Sequence, residues 1–522
     1  MATQAKSEGE ENASGISESR AAARGTLITL LLRLVSFFFT QATFRVLDPA
    51  TLGKANIQLE LLLTTVLFIS REGFRLALTK NVAPENWGVA WLTIPVVTLV
   101  AGGALVWHLS VAKDKDYQIA GVLYCIASWI EGCTEPAVLY FLRNMDVPKR
   151  ASAEGLATVA KTVAIVLALQ YVETQWHVTA FGTAQLIYAI VYATYLYSKA
   201  WSQLIGPSKS LEIKTCWMSL VFTLQGFFKH LLTEADRIVL AAVSDSYNQG
   251  VYAMGSSYGG MAARILLQPL EENARLLWSR LASRNNIDDL KQSYTVLVKL
   301  VLYIGLVFSC VAVNYTNLLL NVLAGRKWGS NPEASSVLSS FCVYTAFLAC
   351  NGMTEAFVYG VTTSGKEIGR LGMAHTITGV VFALSAMQLV STNGTVGLVA
   401  ANCVAMSIRS IYSLHFAARY FGQREFEPTY VTMQRLVRDA SPHPVVLATF
   451  VFAWLATRWS LSRLQVAGLH QVLDIKSKEW LLFTGQHLAI GISCVVGTAS
   501  VAASLEVAFI RSLKSMIRPK KD

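Results

Sequence analysis

Runs of about 20 mainly apolar residues follow one another almost without interruption, from Leu27 to Leu47, Ala55 to Leu78 and Val89 to Leu109, and so on to Leu481–Ile510. Each is long enough to cross the hydrocarbon core as a helix, which satisfies its own backbone hydrogen bonds where no water can. About fourteen such spans are predicted, the weakest being the fifth (around Ala153–Leu169) and the thirteenth (around Val445–Leu464). Connections are mostly short, so the expected fold class is all-α: one polytopic membrane bundle, not soluble domains on anchors. The alternating ten-residue strands of a β-barrel are not seen. Only 15% of the 522 residues are charged and 53% are hydrophobic, against about 25% charged in a soluble chain. That excludes a soluble enzyme, a disordered protein and a simple DNA-binding module. The net charge of +11 fits either nucleic acid or an anionic membrane, and its placement decides between them.

The first twenty residues are polar and read as a disordered tail without the pattern of a signal peptide, so the first span is its own insertion signal. Counted by connection, the two tails and every second loop hold about 24 Lys and Arg, against about 8 on the other side, which predicts cytosolic termini. All eight cysteines fall inside apolar spans without a metal-ligand spacing, so neither a disulfide framework nor a metal site is expected. Of three glycosylation triplets, at Asn12, Asn314 and Asn393, the last two fall on the non-cytosolic side close to the bilayer.

Short matches relate the two halves. Gly132-Cys-Thr-Glu135 in span four parallels Gly352-Met-Thr-Glu355 in span ten, and Glu72-Gly-Phe-Arg75-Leu76 parallels Glu272-Asn-Ala-Arg275-Leu276. Arg45 before Gly53 parallels Arg237 before Gly250. The expected architecture is two pseudo-symmetric six-helix lobes, a parallel duplication familiar in transporters, followed by a C-terminal helix pair. Its boundaries are a tail at 1–24, an N-lobe at 25–205 and a C-lobe at 206–422. A cytosolic linker at 423–444, the extra helix pair at 445–510 and a basic tail at 511–522 complete it.

An ionisable group at the bilayer centre costs about 2.5–3.5 kcal/mol on insertion scales and seeks a partner or water. At about 100° per residue, Glu60, Arg71 and Arg75 fall within about 60° of one another, and Arg264, Glu271 and Arg275 within about 40°. Lys229 shares a face with Asp236, and Glu131 with Glu135; Arg33 and Arg45 lie on the first span. Inter-helix ion pairs or snorkelling account for such residues singly. Their concentration in spans one, two, four, seven, eight and ten favours a polar cavity between the halves, in which Arg and Lys bind a phosphate or diphosphate. No nucleotide-hydrolysis loop, zinc-protease motif or nucleophile elbow is present. Asp114-Lys-Asp116 has the form of a metal-binding Asp-x-Asp, but its connection of about seven residues reads as a charged turn.

The segments LLLRLVSFFFTQATFRVLD, LGKANIQLELLLTTVLFISREGFRLAL, LLTEADRIVL and QGVYAMGSSYGGMAARILLQPLEEN resemble the Rft family of endoplasmic reticulum proteins. The resemblance is strong from Thr26 to Leu281, moderate to Tyr420 and thin beyond. Arg33 and Arg45 match the family's first helix; Arg71, Glu72 and Arg75 its Arg-Glu-x-x-Arg stretch; and Gln268, Pro269, Glu271 and Glu272 its Gln-Pro-x-Glu-Glu stretch. Glu234 and Arg237 fall in its acidic-basic segment, with Ala235 where glycine is common. The resemblance implies translocation of dolichol-diphosphate-linked oligosaccharide to the lumenal leaflet for protein N-glycosylation. It implies no enzyme activity and no cofactor, and as partners that lipid, membrane lipid and other proteins of N-glycan assembly, not nucleic acid. Two alternatives stay open: an accessory protein that binds or delivers the lipid, and an ion-coupled small-molecule exporter using Glu131 and Glu135. The basic end, Arg518-Pro-Lys-Lys521-Asp522, suits both an endoplasmic reticulum retrieval signal and contact with anionic lipid.

Overall fold

Apolar stretches become helices throughout the computed structural model, which describes residues 41–78, 84–144, 146–204, 213–362, 364–466 and 478–517. In chain order these are α1 (Pro49–Leu78), α2 (Gly88–Val111), α3 (Lys115–Cys133), α4 (Glu135–Arg143), α5 (Val147–Tyr171) and α6 (His177–Ala200). Next come α7 (Ile213–Thr233), α8 (Ala235–Val243), α9 (Ser246–Ala262), α10 (Gln268–Ser283) and α11 (Ile287–Asn314). They are followed by α12 (Thr316–Leu323), α13 (Arg326–Gly329), α14 (Pro332–Val361) and α15 (Gly365–Glu425). The last four are α16 (Thr429–Ala440), α17 (Pro444–Val466), α18 (Lys478–Leu505) and α19 (Val507–Ile517). No strand occurs among the described residues.

Eight helices among the described residues are long and apolar enough to cross a membrane, including those at the two weakest sequence spans. This is fewer than the count of about fourteen read from hydropathy. Part of the difference is that apolar runs are broken or merged. Span four divides at Thr134 into α3 and α4, because Pro136 lacks an N–H and crowds the preceding turn. Span seven divides at Glu234 into α7 and α8. Spans eleven and twelve merge in α15, where Gly394 alone reverses the chain at φ +57°, a conformation that a side chain would strain.

Packing divides the chain into two compact units. The first holds the residues up to Leu47 together with Leu62–Phe227; the second holds Asp48–Leu61 and everything from Phe228. The division therefore falls inside α1 and inside α7, not in the connection near residue 205. Within the second unit, α1 crosses α9 at two glycines that the sequence had paired as equivalent. A Cβ on Gly250 would strike the carbonyl of Pro49, and one on Gly53 would strike the carbonyl of Ser246, four residues earlier in each case. Each helix opens on an aspartate cap: Asp48 accepts from the Thr51 N–H at 3.1 Å and Asp245 from the Asn248 N–H at 3.0 Å. The contact is reciprocal, as a duplicated element meeting its copy would be.

The C-terminal helices are fastened to the second unit at both ends. Asn314 donates to Thr457 Oγ1 at 2.8 Å, and Tyr315 stacks on His487 while donating to its carbonyl at 2.7 Å. At the opposite end Lys299 pairs with Glu506 at 3.0 Å, and Glu506 also accepts from the His443 N–H at 2.6 Å. The segment expected as a linker contains α16, whose Leu436 and Ala440 enter the same apolar core as Trp278, Tyr294 and Phe421. All eight cysteines are free. Gly250→Val should cost about 1–3 kcal/mol by forcing the two backbones apart, read as a lower melting temperature of the purified protein. Gly102→Ala, which meets open space, should leave the melting temperature unchanged.

Candidate functional site

In the first unit, the predicted charges of spans two and four meet. Arg71 Nη1 lies 2.8 Å from Glu131 Oε1. One turn along, Arg75 grips Glu135 through two parallel contacts, Nε to Oε1 and Nη2 to Oε2 at 2.8 Å. The four-residue spacing on each chain segment gives two rungs in register, about 6 Å apart along the helix. Glu135 is fully buried and Arg75 half-buried. The bend at Thr134, whose hydroxyl donates to the Glu131 carbonyl at 2.6 Å, carries both carboxylates. Glu72 is half-buried and makes no ion pair among the described residues, though it lies in the field of Arg75. Arg45 is exposed at the end of helix 41–46.

In the second unit, Arg237 pairs with Glu234 at 2.8 Å across the break between α7 and α8. Asp236 accepts from the buried Tyr252 hydroxyl at 3.0 Å. Arg33 and the side chain of Lys229 lie outside the described residues. Glu60 is half-buried on the part of α1 that belongs to this unit, while Arg71 and Arg75 belong to the other.

Glu355, the counterpart of Glu135, does not use Arg275, the counterpart of Arg75. Its carboxylate is 2.6 Å from Arg409 Nη2 and 3.1 Å from His375 Nε2, and accepts from Asn351 at 3.2 Å. Arg409 and His375 were missed by sequence reasoning, although Arg409 stands in the apolar run CVAMSIRSIY and the rule that flagged the other arginines applies to it. Glu271 packs on Gly352, its carboxylate filling the space a Cβ would need. Glu272 is exposed and accepts weakly from Gln268 at 3.3 Å.

Arg264 and Arg275 differ from Arg71, Arg75 and Arg237. Both are exposed, and neither makes an ion pair among the described residues. Arg264 sits in a π-helical turn, Ala263–Leu267, which joins α9 to α10 and widens the spacing assumed by an ideal helix. The Asp-x-Asp segment has a structural use. Asp114 caps α3, and the buried Asp116 accepts from the N–H groups of Val178 and Thr179 at 3.0 and 2.7 Å, capping α6. Asn314, one of the glycosylation triplets, is buried.

The helical arrangement resembles that of solved membrane transporters. The Lipid II flippase MurJ in its inward closed conformation matches with a TM-score of 0.58 at 10% identity, over 91% of this chain and 98% of that one. An inward-facing multidrug resistance MATE family transporter of the MOP superfamily gives 0.53 at 13%, over 72% and 93%. At these identities the likeness concerns the fold, and it defines the class: a multi-pass helical membrane protein of transporter architecture. Within that class the chain belongs to the Rft protein family, whose model matches residues 19–516. Curated relatives named Man(5)GlcNAc(2)-PP-dolichol translocation protein RFT1 include one from Mus musculus, 27% identical over 96% of both chains. Others come from Schizosaccharomyces pombe, 27% identical over 74% of this chain and 80% of the relative, and Yarrowia lipolytica, 29% over 84% and 74%. These relatives are named as translocation proteins, not as enzymes.

Removing one member of a buried pair leaves an uncompensated charge, so Glu135→Ala should cost about 3–5 kcal/mol. Replacing both Arg75 and Glu135 with Met should recover most of that loss, as measured by unfolding of the purified protein.

Proposed function

We propose that the protein moves a dolichol-diphosphate-linked oligosaccharide from the cytosolic to the lumenal leaflet of the endoplasmic reticulum membrane for protein N-glycosylation. The substrate class follows from the names of its relatives, and the transporter fold suits the task. The observation in the chain itself that carries the reading is the pair Arg264 and Arg275. These two are exposed and make no ion pair with a carboxylate among the described residues, so their charge is open to an anionic ligand. A diphosphate is the ligand that guanidinium groups hold best, by bidentate charge-assisted hydrogen bonds. Arg71, Arg75 and Arg237 are committed to carboxylates and read as scaffold, with Arg75 the clearest case. The oligosaccharide would need a wet path and the polyprenyl chain an opening to lipid. Movement would run down the gradient set by use of the lumenal product, with no nucleotide hydrolysis.

The test is exchange of lipid-linked oligosaccharide between leaflets of vesicles containing the purified protein. Arg264→Gln with Arg275→Gln should slow it at least tenfold, while the Arg75→Met/Glu135→Met pair should keep most activity. Exchange no faster than in protein-free vesicles, with folded protein confirmed, would favour the accessory role of binding or delivering the lipid. Protease added outside sealed endoplasmic reticulum vesicles should remove tags from both termini, as the distribution of basic loops requires.

A further inference from the structure

The second unit contains a polar cleft of about 730 Å³ at the end opposite its C-terminal tail. Its walls are the end of α11, the first turns of α14 and the last three turns of α17. Part of this lining is internally satisfied: Thr316 Oγ1 lies 3.1 and 2.8 Å from the Ser335 and Ser339 hydroxyls, and Asn317 donates to the Gly329 carbonyl at 3.0 Å. Four lining side chains are not. Arg458, Gln465, Ser336 and the indole N–H of Trp454 are exposed and make no side-chain hydrogen bond or ion pair among the described residues.

Placement is informative. Arg458 stands eight residues before the end of α17, about 12 Å along the axis, next to the Thr457 that anchors Asn314 at the end of α11. Trp454 lies one turn further into the apolar part. Arg458 is the first charge after the apolar run Val445–Thr457 and stands level with the end of α11, where a lipid headgroup and an interfacial tryptophan are expected. Within that run Val451, Phe452 and Leu455 present exposed apolar surface, as a lipid tail requires. This side also carries few of the chain's cations, so Arg458 is not one of a basic loop's many.

We propose that this cleft holds the phosphate-linked sugar or polyol headgroup of a membrane lipid. Arg458 takes the phosphate, with the bidentate geometry that a guanidinium offers. Ser336, Gln465 and the Trp454 N–H meet the ring hydroxyls. A bare phosphate would leave most of the volume empty, and a choline headgroup would leave these groups unpaired, which is costly. The site lies wholly within one unit and stands independently of what the protein translocates.

The test is lipid binding to the purified full-length protein by native mass spectrometry. The probes are phosphatidylinositol, a polyprenyl phosphate bearing one hexose, unsubstituted polyprenyl phosphate and phosphatidylcholine. At least one of the first two should bind tenfold or more tighter than the last two, and whichever does so identifies the source. Arg458→Gln should weaken that binding at least tenfold and Arg458→Lys should restore part of it. Arg463→Gln, on the other face of α17 where Arg463 stacks on Trp459, should not change it. Should Arg458→Gln not fold, Ser336→Leu, which fills the cleft without altering charge, should weaken binding to a similar extent. Equal affinity for phosphatidylcholine or for unsubstituted polyprenyl phosphate would overturn the proposal. So would wild-type binding by a folded Arg458→Gln protein, or an equal loss with Arg463→Gln.

Discussion

A charge held in hydrocarbon must find an opposite charge, water or a ligand, and much of this protein is arranged around that requirement. In the first unit the answer is a two-rung ladder, Arg71–Glu131 and Arg75–Glu135. It joins α1 to the α3–α4 pair, 60 residues away in sequence. Lipid tails are as apolar as leucine, so the hydrophobic effect does little to drive one membrane helix against another. Ion pairs and close backbone approach take over that task. Replacing a buried pair with apolar residues is often neutral, so the ladder contributes mainly the register in which the helices meet.

The second unit solves the same problem with different partners. Glu355 occupies the place of Glu135 in the repeat, yet its charge is met by Arg409 and His375. Arg275 is thereby left without a carboxylate among the described residues. The crossing at Gly53 and Gly250 is reciprocal, while the charge partners of the matched segments differ. In the first unit Arg71 and Arg75 meet carboxylates, and in the second Arg237 does so while Arg264 and Arg275 make no ion pair among the described residues.

Only part of this was visible from the residues. Apolar run length gave the membrane class, and the distribution of loop cations gave an orientation, because both are properties of single segments in a lipid solvent. The repeat was visible too, down to the glycines that turn out to cross. Helical wheels did less well: the π-turn at Ala263–Leu267 shifts a face the wheel had assumed continuous. Asp116 read as a charged turn, and its use as a cap for α6 needed a neighbour more than 60 residues away.

The sequence by itself determined that this chain lives in a membrane and that it keeps costly charges among its apolar segments. Those conclusions rest on local free energies, which composition and spacing express directly. Which charge answers which was decided only by the tertiary structure, because a pair is a property of two distant segments and their approach. There Arg71, Arg75 and Arg237 meet carboxylates, while Arg264 and Arg275 make no ion pair among the described residues.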